Sequence, residues 1–230
     1  MKFFCDTADY NIIKKLNKNL VIKGFTTNPS LMRLAGAKNY EKYAKKILKI
    51  CPDKPISFEV FADNSDDMIR QGLIIKDWGK NVYVKIPVTN SKGQFSGKAI
   101  RYLSKKNVKL NVTAVYTAQQ TKKIIKNLNK NTKSIISIFA GRMADVGKDP
   151  IPVFKKCVSQ SKRYSKIEIL WASTREPYNI MQAKNVGCHI ITMPLSIIEK
   201  TSHFGKSFNA LTTDTVKKFL VDSKSSNFKL

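Results

Sequence analysis

Residues 81–89 read NVYVKIPVT. A short run this rich in β-branched residues, apolar on both faces, belongs to a strand covered on both sides, which is the environment of a parallel sheet. Yet Lys85 sits in the middle of it, between Val84 and Ile86. Seven other runs of the same kind flank it: KFFC (2–5), LVIKGF (20–25), ISFEVF (56–61), VKLNVTAVY (108–116), SIISIFA (134–140), KIEILWA (166–172) and CHIITMP (188–194). Longer amphipathic, lysine-rich stretches separate them. NYEKYAKKILKI (39–50) sets Tyr40, Tyr43, Ala44, Ile47 and Leu48 at helical spacing, and TAQQTKKIIKNL (117–128) does the same with Ala118, Ile124, Ile125 and Leu128.

Eight covered strands, each followed by a helix, predict an α/β fold in which a parallel sheet closes into a single (β/α)8 barrel. The competing arrangement is an open doubly wound sheet, and no GxGxxG turn follows the first strand to favour it. A chain of 230 residues fits one core. One domain is therefore expected over 1–230, with an extra C-terminal helix at 212–221 and a frayed tail at 223–230.

Composition narrows the function. The longest apolar runs are too short to span a membrane, and Asp6 interrupts the N-terminus before a secretory core develops, so a soluble cytoplasmic protein is expected. Cys5, Cys51, Cys157 and Cys188 share no CxxC spacing, and His189 and His203 are the only histidines, which argues for reduced thiols and against a metal site. The net charge of +26 invites a nucleic-acid reading. Against it, arginine is confined to residues 33, 70, 101, 142, 163 and 175, and the lysines are scattered rather than gathered into a stripe. No specific nucleic-acid partner is expected.

In a barrel, polar residues at the C-terminal strand ends converge on one mouth. Those ends supply Asp6, then Thr26, Thr27 and Asn28, then Glu59, Lys85, Asn111 with Thr113, Ser137 followed by Arg142, and Ser173 followed by Arg175. A buried ammonium is costly unless paired or neutralised, and a neutral amine attacks carbonyls. Lys85 is thus either a nucleophile or half of a structural ion pair with Asp6 or Glu59. Two acids near one amine suit the proton transfers of Schiff-base chemistry, although Asp6 could equally cap a helix. Arg142 and Arg175 suit a forked grip on phosphate, or surface salt bridges.

The segments FCDTAD (4–9), GFTTNPSL (24–31), FEVFA (58–62), VYVKIPVT (82–89), LNVTAVYTAQQ (110–120), IFAGRMADVG (138–147) and WASTREP (171–177) resemble, in order, those of the transaldolase family. That resemblance implies that Lys85 forms the Schiff base with a ketose carbonyl and Asp6 takes the C4 hydroxyl proton. It gives Glu59 a role in imine formation and hydrolysis, through a water held by Thr113. It assigns Thr26, Asn28, Asn111 and Ser137 to the dihydroxyacetone unit, and Arg142, Ser173 and Arg175 to the distal phosphate. Phe139 stands where the fructose-6-phosphate aldolase-like members carry tyrosine, which favours transfer over release. No cofactor is implied; sugar phosphates are the expected partners, and assembly into pentamers or decamers through the C-terminal helix is expected. The remaining readings are a fructose-6-phosphate aldolase-like lyase, for which the loop at 89–97 is the reason, and a basic polyanion-binding protein on an inactive barrel.

Overall fold

In the computed structural model, which describes residues 1–226, the eight runs become eight strands. They are β1 (Lys2–Asp6), β2 (Ile22–Thr26), β3 (Ile56–Glu59), β4 (Val82–Pro87), β5 (Leu110–Val115), β6 (Ser134–Phe139), β7 (Ile167–Ala172) and β8 (Ile190–Met193). Each pairs in parallel with the next, and β8 pairs with β1, so the sheet closes into a barrel in sequence order. The open doubly wound alternative is thereby excluded. The two periodic stretches fold as the helices Tyr40–Ile50 and Ala118–Asn127. The second opens with Thr117 and Gln120 capping one another reciprocally, the sequence pattern of a capping box.

Side chains alternate across a strand with period two, and here the parity decides everything about the site. Phe4, Tyr83, Ile135, Leu170, Ala172 and Ile190 point inward and pack together as the barrel's interior layer, with Phe139 against them. Gly24 is glycine because a Cβ there would lie 2.6 Å from the Phe4 ring, so β2 contributes space where β1 contributes bulk. The outward residues form the larger core between strands and helices. There Trp171 is fully buried and stacks on Phe154, with centroids 4.2 Å apart and planes at 28°.

The chain divides into a barrel unit, Met1–Ile198, and a C-terminal unit beginning at Glu199. The latter's helix runs over Phe208–Ser225, longer at both ends than the 212–221 expected, and none of its residues is buried. It starts early because Ser207 caps it, accepting from Ala210 N–H at 3.2 Å. Residues 223–225 of the expected frayed tail are helical, and residues 227–230 lie outside the described residues. No helix among the described residues is long and apolar enough to cross a membrane.

Candidate active site

Two residues beyond each inward-facing member of the interior layer comes the next inward position, at the C-terminal mouth. From Phe4 this is Asp6, from Gly24 Thr26, from Tyr83 Lys85, from Ile135 Ser137 and from Ile190 Thr192. With Thr113, these residues line a cavity of about 250 Å³ whose outer wall is made by Asn28, Phe139, Arg142, Ser173, Thr174, Arg175 and Pro194. Ten of the twelve expected site residues therefore lie on one cavity. Glu59 and Asn111 stand behind its lining.

Lys85 is 7% exposed, and its Nζ lies 3.2 Å from Glu59 Oε2 and 3.0 Å from the Thr27 carbonyl. The amine's ion-pair partner is thus Glu59. Asp6 is tied instead to Thr26, whose hydroxyl donates to Asp6 Oδ1 at 2.6 Å. Since that hydroxyl has a single proton, the 2.7 Å contact between Thr26 and Thr192 must run from Thr192 to Thr26, giving an ordered chain that ends on the carboxylate. Burial raises the Asp6 carboxyl above its ordinary range, while the Lys85 ammonium and the Thr26 hydroxyl pull the other way. Asp6 is not a helix cap: Asp9 fills that place for the helix Tyr10–Asn17.

Asn111 is fully buried and committed at both ends, donating to Ser57 Oγ at 3.0 Å and accepting from the Ser137 hydroxyl at 2.7 Å. Asn28 caps the helix Pro29–Leu34, its side-chain oxygen accepting from Leu31 N–H at 2.9 Å. The Thr113 hydroxyl is buried with no hydrogen-bond partner among the described residues, so it is available to hold a ligand or a water. Next to it Ala114 adopts φ 57°, where β5 loses register with β6.

At the rim the Arg142 guanidinium lies 5.7 Å from the Phe139 ring centre, and Phe139 meets Tyr116 edge-on at 5.9 Å. Arg175 makes a two-pronged pair with Asp145, Nε to Oδ1 at 3.0 Å and Nη2 to Oδ2 at 2.5 Å, which holds the Asp145 carboxyl below its ordinary range. Ser173 has φ 61°, and its carbonyl oxygen sits where a Cβ on Gly141 would be, 1.8 Å away. This close approach is what brings the Arg142 and Arg175 segments side by side.

The loop 89–97 contributes nothing to the cavity lining. It folds on itself through a Thr89–Phe95 bridge and is tied to the neighbouring rim by Ser91, whose N–H and hydroxyl donate to Asp63 at 2.7 and 2.6 Å. The four cysteines are free and buried, and no group of His, Cys, Asp or Glu suited to a metal ion occurs among the described residues. Sequence reasoning missed Thr192, Thr174, Pro194 and Ser57. Counting two residues on from Ile190 in CHIITMP would have found Thr192.

Fold and site together define a (β/α)8 barrel enzyme whose mouth gathers one buried amine, two carboxylates and two guanidiniums. The profile of the transaldolase/fructose-6-phosphate aldolase family matches residues 3–230. A probable transaldolase of Herpetosiphon aurantiacus is 34% identical over 223 residues, 96% of this chain and 94% of that one. Another from a Thermoanaerobacter species is 37% identical over 199 residues, 86% and 88% of the two chains. The chain belongs to the transaldolase/fructose-6-phosphate aldolase family. Among solved structures, a thiamine phosphate pyrophosphorylase from Pyrococcus furiosus superposes with a TM-score of 0.56 at 11% identity over 96% of both chains, a likeness of fold alone.

Proposed function

We propose that this enzyme is a transaldolase, moving a dihydroxyacetone unit from a ketose phosphate such as fructose 6-phosphate or sedoheptulose 7-phosphate to an aldose phosphate, in the cytoplasmic pentose phosphate pathway. The observation that carries the proposal is Lys85, buried on β4 with its Nζ between Glu59 and the Thr27 carbonyl and facing the cavity that Asp6 also lines.

Lys85 Nζ attacks the C2 carbonyl, and the carbinolamine loses water to give an iminium ion. Glu59 serves this proton traffic through a water held by the Thr113 hydroxyl. Asp6 then takes the C4 hydroxyl proton; the C3–C4 bond breaks, its electrons neutralise the iminium as an enamine, and the aldose phosphate leaves. A carboxyl raised above its ordinary range is the better proton acceptor near neutral pH. The enamine attacks an incoming aldehyde, Asp6 returns its proton to the new hydroxyl, and hydrolysis of the imine frees the new ketose. Thr26, Asn28 and Ser137 orient the dihydroxyacetone unit, with Asn111 holding Ser137 from behind. Arg142, Ser173 and Arg175 take the distal phosphate. Phe139 has no hydroxyl with which to direct a water at the enamine, so the intermediate waits for an acceptor. This favours transfer over a fructose-6-phosphate aldolase-like release of free dihydroxyacetone.

Self-association is part of the proposal. The helix Phe208–Ser225 exposes Phe208 at 87% and Phe219 at 65%, apolar surface that a pentamer or decamer of this chain would cover. Light scattering should give an oligomer mass that Phe219→Ser lowers.

The catalytic test is borohydride trapping with fructose 6-phosphate, read by intact mass on wild type and Lys85→Arg, followed by erythrose 4-phosphate added to untrapped wild type. A reduced dihydroxyacetone adduct on wild type alone, with sedoheptulose 7-phosphate appearing, is expected. An adduct accompanied by free dihydroxyacetone and no heptulose would assign the lyase, and no adduct would refute the Schiff base.

A further inference from the structure

Strand β2 ends at Thr26, and the chain turns into the helix Pro29–Leu34. Up to that point its ladder with β3 is regular. Phe25 pairs with Ile56 and Thr26 with Ser57, while Phe25 N–H donates to the Pro55 carbonyl at 2.8 Å and Thr27 N–H to the Ser57 carbonyl at 3.2 Å. In a parallel ladder, a residue that donates to one neighbour accepts from the neighbour two positions further on. The next bond in the series is therefore Glu59 N–H to the Thr27 carbonyl.

That bond is replaced. Glu59 N–H donates to the Tyr40 hydroxyl oxygen at 3.0 Å, and the same hydroxyl donates back to the Glu59 carbonyl at 3.2 Å. The Thr27 carbonyl accepts Lys85 Nζ at 3.0 Å. One phenol thus satisfies both main-chain groups of Glu59 and leaves the Thr27 carbonyl to the amine. The ring is fixed by a cluster of aromatics: Phe61 at 5.4 Å, Trp78 at 5.7 Å and Phe58 at 6.5 Å between centroids. Burial pushes the Tyr40 phenol up, so it keeps the proton it donates.

We infer that Tyr40 is a positioning residue for the Schiff-base amine. By taking the place of strand β2 beside Glu59, its hydroxyl releases the Thr27 carbonyl to orient Lys85, and it fixes the backbone that carries the carboxylate 3.2 Å from Nζ. The inference rests on the reading of Lys85 and Glu59 given above and adds a residue that touches neither substrate nor reacting atom. Without the hydroxyl, Glu59 N–H turns to the Thr27 carbonyl and competes with Lys85 for it.

The test is the single-turnover rate of borohydride-trappable adduct formation from fructose 6-phosphate in wild type, Tyr40→Phe and Trp78→Phe, beside the inhibition constant of inorganic phosphate in each. Tyr40→Phe keeps the ring and its packing; Trp78→Phe disturbs the same cluster without touching the hydroxyl. Tyr40→Phe is expected to slow adduct formation by about threefold to tenfold, the range for one hydrogen bond, with phosphate inhibition unchanged. Trp78→Phe is expected to trap at close to the wild-type rate. A Tyr40→Phe rate within about twofold of wild type overturns the inference. So does an equal slowing in Trp78→Phe, or a matching loss of phosphate inhibition in Tyr40→Phe, since either would mean the residue acts through general packing. Absence of an adduct on wild type itself would refute the Lys85 reading and this inference with it, a result distinct from one in which wild type traps and Tyr40→Phe traps equally fast.

Discussion

Replacing Gly141 by alanine tests how the barrel builds the rim proposed to take the distal phosphate. The added Cβ would lie 1.8 Å from the Ser173 carbonyl oxygen, 2.9 Å from the Ser173 carbonyl carbon and 3.0 Å from Arg175 Cγ. Two of the three obstacles are main chain, and Ser173 is held at φ 61°, so no rotamer change relieves the overlap. To carry the contact from 1.8 Å to the 3.0 Å below which real Cβ atoms are essentially never found, the Ser173–Arg175 segment must retreat by more than about 1 Å. Displacement of a binding group by that much costs on the order of 10²-fold, or about 2.7 kcal/mol. Gly141→Ala should therefore raise KM for fructose 6-phosphate by about 10²-fold while trapping of unphosphorylated dihydroxyacetone on Lys85 proceeds at close to the wild-type rate. Steady-state kinetics and intact-mass trapping on the same preparation give both numbers. A KM within about threefold of wild type, or an equal loss with both substrates, would refute the argument that this glycine serves the phosphate end alone.

Asp6→Asn should abolish cleavage yet stabilise the fold at neutral pH. The Asp6 carboxyl is raised in the folded chain above its ordinary 3.8, so the folded state holds that proton more tightly than the unfolded chain does. The stability this gives is complete below the unfolded value and is lost as pH rises through the folded one. The variant should accordingly melt above wild type at pH 7, with the gap closing as the pH falls, and a lower melting temperature at pH 7 would contradict the sign. Ser91→Ala should speed hydrogen exchange at the Asn90 and Ser96 amides, which the loop holds by bonds to Gln94 and Val88, and should leave kcat/KM within about twofold. A large loss of activity would mean that the loop serves the substrate after all. Phe154→Ala removes the ring stacked on Trp171 in the outer core and should cost about 3–5 kcal/mol by denaturant titration, with kcat unchanged in the protein that remains folded.

The fold was legible because strand and helix periods alternate without interruption. All eight runs became strands, and the doubly apolar character of residues 81–89 already required cover on both faces. Most of the site was legible for a related reason: a polar residue at the C-terminal end of such a strand has few places to go. What sequence could not resolve is which partners those residues take. Lys85 reads as pairing with either Asp6 or Glu59, and the register of β3 against β4 puts Glu59 beside the amine while Thr26 bonds Asp6. Asn111 reads as a substrate ligand, and the partners sequence could not name are Ser57 on β3, to which its amide donates, and Ser137 on the adjacent β6, from which it accepts. Tyr40 reads as one more apolar position on an amphipathic helix, since periodicity reports burial and says nothing about a hydroxyl reaching a neighbouring backbone. The C-terminal helix was underestimated because an exposed helix leaves little apolar pattern to mark its ends.

Two of the polar side chains that line the cavity, Asn28 and Ser137, give it a direction. Asn28 has its oxygen engaged by a helix terminus and keeps its amide N–H groups to offer, whereas Ser137 has given up its proton and can present only lone pairs. A guest must therefore bring a proton to Ser137, and a molecule that presents an acceptor there meets acceptor with acceptor. Fluorine in place of the hydroxyl over Ser137 would match it closely in size and still be refused, because it has no proton to give. A preference for one end of a small, nearly symmetric guest is thus set by where a single hydroxyl proton has gone.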